Sequence, residues 1–255
     1  MEFPENLLNL DYLVYSSHKT GTQTLVETLN SSGFRCRHCH VLGNMGLSSG
    51  EFRRYLDRYL ERNNRKLNVI TVFREPVERH VSSFFQGHGS RPLRLNEVKS
   101  RFETIIYKHT IEQLQELFVS ELRSRSIIGF SESLHELCRE CAVDTSDLAF
   151  DESRQSGVFE TPQMRIYLFR FDLLFSNLTK LLSEITGRTL CIRDSNMSNS
   201  KWYRDIYTRF KSSLVIPGNV VSETYGLKGD LIRVFYSGDY ASALSRAMVR
   251  YGNST

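Results

Sequence analysis

YLVYSSHKTGTQTL, residues 12–25, joins three signals within fourteen residues. The run Tyr12-Leu13-Val14 opens a strand expected over residues 11–16, and Leu25, Val26 and Leu29 recur at helical spacing over residues 22–30. Gly33 stands where that helix should stop. Between strand and helix lies a short loop. Such a loop offers unpaired backbone N–H groups and the positive end of the helix dipole, which suits an anion. Gly21 lets the backbone approach a ligand closely, Lys19 adds a point charge, and Thr20, Thr22 and Thr24 add hydroxyl donors. His18 and Gln23 complete the candidate contacts. The nucleotide-binding pattern G-x-x-x-x-G-K-[ST], aligned on Gly21, would need glycine at Ser16 and Lys-Ser/Thr at Thr22-Gln23. Neither is present.

The rest of the chain continues the alternation. Residues 34–42 read as a short second strand, and the Phe52, Tyr55, Leu56, Tyr59 and Leu60 stripe as a helix with Ser48 or Ser49 as N-cap. LNVITVF, residues 67–73, is an apolar β-rich run of the kind buried on both faces of a parallel sheet. Arg74 ends it, and Pro76 opens a helix continued by VERHVSSFF. Residues 87–97 form a basic loop with His88, Arg91 and Arg94, followed by helices over 101–122 and 131–141 and a polar stretch over 144–156. MRIYLFRFDLL is a fourth strand leading into the helix SNLTKLLSEITG, and the last helix covers residues 240–249. Strands alternating with helices specify an α/β fold with a parallel sheet, whose ligands sit at the carboxyl ends of the strands. The opening loop and Arg74 both lie at such ends.

Bulk properties agree with one α/β domain. The chain has 255 residues, 24% of them charged and 40% hydrophobic, and its net charge of +4 favours an anionic ligand. It has no apolar run of about 18 residues, the length a membrane span needs. Met1-Glu2-Phe3-Pro4-Glu5 does not open a signal peptide. The expected location is the cytoplasm, with a Golgi lumen only if an anchor lies outside this sequence. Without secretion, the sequons at Asn30, Asn177, Asn196 and Asn253 are chance matches. Cys36/Cys39 and Cys138/Cys141 are two Cys-x-x-Cys pairs, but zinc ribbons place their pairs far closer; buried free thiols are the plainer reading.

The residues also carry a resemblance. HKTGTQTL after a strand resembles the 5′-phosphosulfate loop of sulfotransferases that use 3′-phosphoadenosine 5′-phosphosulfate (PAPS). VFREPVERHVSSFF is similar to the strand-turn-helix with which carbohydrate sulfotransferases hold the 3′-phosphate; there an arginine and a serine eight residues later bind it, which are Arg74 and Ser82 in this chain. Pro76, Val77, Glu78 and Arg79 match the same stretch. IYLFRFDLL resembles the family's late strand. NSKWYRDIYTRFK and VFYS look like a bacterial group involved in capsular polysaccharide synthesis, although Ser200 separates Asn199 from Lys201 and Arg204 stands where that group's signature ends in serine. The match is continuous over about the first ninety residues and fragmentary after 160.

The resemblance implies a P-loop-NTPase-like sheet flanked by helices, with 101–160 as a mostly helical insertion on the acceptor side. It implies in-line transfer of a sulfuryl group from PAPS to a carbohydrate hydroxyl, with 3′-phosphoadenosine 5′-phosphate (PAP) leaving and no metal required. Lys19 would stabilise the bridging oxygen, and His40 or His38 would take the hydroxyl proton. Arg79, Lys201 and Tyr203 join the candidate cofactor contacts; Lys211 and Arg204 are basic neighbours equally explained as a solvated helix face. Arg91 and Arg94 point toward an acidic glycan, and neither nucleic acid nor membrane is an expected partner. Two other readings stay open: a divergent P-loop kinase, opposed by Arg74 where a metal carboxylate would stand, and an inactive nucleotide- or glycan-binding relative.

Overall fold

The computed structural model describes residues 3–48, 50–85, 106, 108–124, 133–193, 203–236 and 239–252. Five strands form one sheet: β1 (Tyr12–Tyr15), β2 (Cys36–Cys39), β3 (Leu67–Phe73), β4 (Ser156–Glu160) and β5 (Met164–Arg170), in the order β2-β1-β3-β5-β4. The pairs β1–β2, β1–β3 and β3–β5 are parallel, and β4 is an antiparallel edge. The helices are α1 (Glu5–Leu8), α2 (Thr22–Ser31), α3 (Glu51–Asn63), α4 (Pro76–Phe84), α5 (Ile111–Ser124), α6 (Ser133–Glu140), α7 (Phe171–Thr186), α8 (Arg204–Ser213), α9 (Gly218–Gly226), α10 (Gly229–Phe235) and α11 (Tyr240–Tyr251). The class is therefore α/β, with a mostly parallel central sheet flanked by helices.

The chain divides into two compact units. The first is Met1–Arg74, Glu132–Asn196 and Val234–Ser237, and it holds the whole sheet. Its core follows the period of two expected of strands: Tyr12, Val14, Ile70, Val72, Tyr167 and Phe169 meet Leu25 and Leu29 of α2 and Leu174, Leu178 and Leu181 of α7. Each such fully buried apolar side chain contributes about 1.5–3 kcal/mol. The intervening Leu13, Tyr15 and Val69 are also fully buried, and Phe52 of α3 packs 6.2 Å from the Tyr15 ring. The second unit, Glu75–Ser131, Met197–Arg233 and Gly238–Thr255, is helical among its described residues. An aromatic cluster of Phe84, Phe85, Phe118 and Phe210 forms part of its core, with ring separations of 5.0–5.8 Å.

Several boundaries differ from the sequence expectation. The second strand stops at Cys39 instead of residue 42, because its partner β1 is only four residues long and the register Tyr12↔Cys36 to Tyr15↔Cys39 exhausts it. β4 falls inside the segment expected to be mostly helical. Its burial alternates weakly because one side is an edge, so SGVFE carries little apolar signal. Phe171-Asp172-Leu173 belongs to α7, which begins directly after β5. At α3 the serine cap is reversed: Gly50 is the N-cap, and the Glu51 carboxylate accepts from Ser48 N–H and its hydroxyl. Ser49, the loop over 87–97, and most of 101–110 lie outside the described residues.

Asp11 ties the start of β1 to the residues entering β2 and β3. Its carboxylate accepts from Arg35 and from Arg65, the latter at 2.7 Å. Burial alone would raise its pKa, yet these hydrogen bonds bring it down to about 2. A depressed carboxylate stabilises the fold above its unfolded value and loses that contribution as pH falls through the folded value. Both arginines are substantially exposed, so Asp11→Asn should lose about 1–2 kcal/mol at pH 7. The gap to wild type should close between about pH 4 and pH 2. Urea unfolding across that range tests this; a gap unchanged at pH 2 would show that packing, not charge, is responsible.

Candidate functional site

The carboxyl ends of β1, β2, β3 and β5 share one edge of the sheet, and the candidate site of the first unit is built there. β1 leaves the sheet early. Its ladder with β3 ends at Val14↔Ile70, and the side chain of Ser16 takes over, accepting from Val72 N–H at 3.1 Å. Ser16 Oγ lies 2.8 Å from Thr20 Oγ1, and the Thr20 hydroxyl donates to Ser17 O at 2.7 Å. Ser16, where the nucleotide-binding pattern has glycine, is thus a fully buried knot that closes the loop on itself. The Thr20 hydroxyl, expected as an anion donor, is committed inside that knot. Thr22 and Thr24 are buried in the first turn of α2, and Gln23 is exposed.

The loop turns through two left-handed residues, Lys19 at φ 68° and Gly21 at φ 78°. For lysine this conformation is costly and must be held by its surroundings. Arg74 does so: its Nη1 donates to Lys19 O at 2.9 Å, while its guanidinium lies 4.1 Å from the Phe171 ring centroid. The two basic residues singled out in separate motifs are therefore joined by a hydrogen bond. Gly21 is the N-cap of α2 and brings no side-chain acceptor to the first turn, which also lacks acidic residues. Phe175 seals the loop from α7: a Cβ on Gly21 would lie 2.6 Å from its Cζ.

This contact sets a stability comparison. Gly21→Ala meets both the left-handed backbone and Phe175, whereas Gly33→Ala, at φ 86° with open space around it, meets the backbone alone. Gly33→Ala should cost about 1 kcal/mol. Gly21→Ala should cost more, by the amount needed to displace the phenylalanine ring. Equal shifts in thermal midpoint would mean that Phe175 yields without cost.

His40 lies one residue beyond β2. Its Nδ1 is 2.6 Å from Ser16 O, and a carbonyl only accepts, so Nδ1 carries the hydrogen and the neutral ring has its lone pair on Nε2. Ser133, at the start of α6, donates its hydroxyl to His40 O at 2.6 Å, and its own N–H donates to Ser17 Oγ at 3.0 Å. Glu136, one turn on, accepts from Tyr15 O–H and from Leu42 N–H. Helix α6 therefore clamps the exits of β1 and β2 together. His38, in the strand and exposed, has its ring centroid 5.2 Å from that of His40. His18, a candidate contact in the loop, stacks on His40 with centroids 3.7 Å apart. The structure thus gathers His18, Lys19, Gly21, His38, His40 and Arg74 at one sheet edge. Arg170, the strand-end arginine of β5, is paired with Asp172 and Glu152 at 2.6 and 2.7 Å.

The remaining candidates belong to the second unit. Ser82 is half-buried and Arg79 is 3% exposed, both on α4. The start of α4 is filled by its own chain: the Glu75 carboxylate accepts from Val77 and Glu78 N–H and from Tyr225 O–H, and burial pushes its pKa up. His80 is 1% exposed; burial, with the charges of Arg79 and Lys228, holds it well below the ordinary histidine value. Lys228, 2% exposed, has no flag in the sequence beyond a charge between glycines. Tyr203 is buried against Phe85 and Tyr207, a core aromatic rather than an open ligand wall. Lys211 pairs with Glu78 at 2.8 Å. Lys201 and Trp202 lie outside the described residues.

Cys36 and Cys39 are buried thiols pushed up to about 12 by burial, and Cys141 is raised likewise. Among the described residues no group of three or more His, Cys, Asp or Glu is arranged to hold a metal ion, and no helix is long and apolar enough to cross a membrane. No family model, curated protein or solved structure matches the chain.

Proposed function

We propose that the chain is a PAPS-dependent sulfotransferase acting on a carbohydrate hydroxyl. One observation carries the reading: the Arg74–Lys19 hydrogen bond, which joins the two anion-binding motifs beside His40. The α2 start, whose N-cap Gly21 brings no side-chain acceptor, suits a phosphate-like group; Arg74 supplies a second cationic contact. Bound PAPS supplies the activated sulfuryl group. Lys19 offers positive charge to an oxygen gaining charge at the loop, and His40 Nε2 receives the proton of the attacking hydroxyl. Both act by positioning and charge, as transfer of a compact anionic group demands.

A labelled-PAPS transfer screen over glycans and small hydroxyl compounds tests the activity, and absence of transfer to any of them opposes it. Thermal shift separates this reading from a kinase: PAP alone should stabilise the protein and ATP with Mg²⁺ should not. Calorimetry in EDTA should still detect PAP binding. Arg74→Ala should weaken it by about 1.5–3 kcal/mol, the range for a charge-assisted hydrogen bond. Unchanged affinity would remove Arg74 from the binding site.

A further inference from the structure

The stacked histidines were gathered by the fold from two motifs about 70–80 Å of extended chain apart: His18 precedes Lys19 in the loop, and His40 follows β2. Their ring centroids are 3.7 Å apart at 39°. His40 is fixed on both sides, by Nδ1 on Ser16 O and by Ser133 on its carbonyl, while Ser17, next to His18, is held by the Ser133 N–H. The two rings therefore cannot escape each other by a simple side-chain rotation of His40.

Two imidazolium charges at that separation repel strongly, so the second proton enters at distinctly lower pH than the first. Among the described residues, the ionisable groups on the surrounding elements include Lys19 in the loop, Arg37 and His38 on β2, Arg74 after β3, and His135, Glu136, Arg139 and Glu140 on α6. The cations Lys19, Arg37 and Arg74 add to the repulsion, and the Glu136 carboxylate is already hydrogen-bonded to Tyr15 and Leu42.

We propose that His18 is a positioning residue for His40: the pair shares one proton across the neutral range, so His18 carries part of the charge that would otherwise block the base. Its significance for catalysis rests on the sulfotransferase reading; the proton sharing itself does not. While the pair holds a single proton, the molecules that keep it on His18 leave Nε2 of His40 with its lone pair. A lone histidine would lose that population in one step near its own pKa. The pair keeps a fraction active to lower pH.

Nitrogen-15 NMR of the full chain, titrated without ligand, reads both rings directly. The expected result is a biphasic curve for His40, with a plateau between two steps more than one pH unit apart, and the neutral form protonated at Nδ1. In His18→Phe, which keeps a ring, and in His18→Gln, which keeps a polar side chain, His40 should titrate in one step. A single-step His40 curve in the wild type, superimposable on either variant, overturns the proposal, and this reading needs neither variant to be active. In the transfer assay, the low-pH shoulder of kcat/KM should disappear in the variants. Biphasic titration without transfer of any sulfuryl group would retain the pair and refute the function; transfer with single-step titration would do the reverse.

Discussion

His40→Ala should lower turnover by about 10²–10⁴-fold while PAP affinity stays within a few-fold, the size of effect typical of a positioned general base. The reason is geometric. Ser16 O occupies Nδ1, which leaves Nε2 as the basic atom of the neutral ring. The ring sits beside the loop that carries Lys19 and not within it, so its removal should spare the anion contacts. His38→Ala should lose much less, since that side chain is exposed on the strand and its ring reaches only the neighbourhood of His40. The rate should rise with pH through the histidine range, because only a neutral imidazole accepts a proton. Steady-state kinetics with calorimetry on the same variants decides the matter. Loss of PAP binding together with turnover would make His40 part of the loop scaffold, and full activity would move the base elsewhere.

Lys19→Ala should reduce turnover by about 10²–10³-fold, as loss of one charge-stabilising donor does, and weaken PAP binding far less. Lys19 O is already held by Arg74, so the side chain is offered to the ligand by a backbone that the mutation need not disturb. The left-handed φ of 68° gives a control. Asparagine tolerates that conformation better than alanine, so Lys19→Asn should lose comparable turnover with less loss of stability. Should either variant lose PAP affinity and keep its rate at saturation, Lys19 is a ground-state binder and the assigned role fails.

Local signals marked the core of this arrangement well. The loop, Gly33 as the stop of α2, the buried run of β3 and Pro76 opening α4 all rest on spacing within a few residues, where sterics and hydrogen bonding are local. What the sequence hid depends on distance along the chain. Ser133 reaches His40 across 93 residues, and nothing in its own neighbourhood sets it apart from other serines at helix starts. The stack of His18 on His40 needs the β1–β2 register to exist before it can form. β4 was concealed for a different reason, since an edge strand with one well-buried residue lacks the alternation that marks a strand. The burial of Lys228 and His80 likewise follows from helix packing in the second unit, while their polarity argued for the surface.

The early departure of β1 from the sheet has a wider consequence. At the end of its ladder with β3, two groups of Ser16 are used at once: its hydroxyl accepts from Val72 N–H, and its carbonyl faces the imidazole of His40. One residue thus serves two features by two routes: its side chain closes the loop, and its backbone carbonyl fixes the tautomer of the histidine. A glycine there would bring the chain closer to the ordinary nucleotide-binding pattern and still present its carbonyl to His40, so the knot that closes the loop is what would be lost. Drift at this position is therefore felt in the loop and not in the histidine, although no ligand need ever touch it.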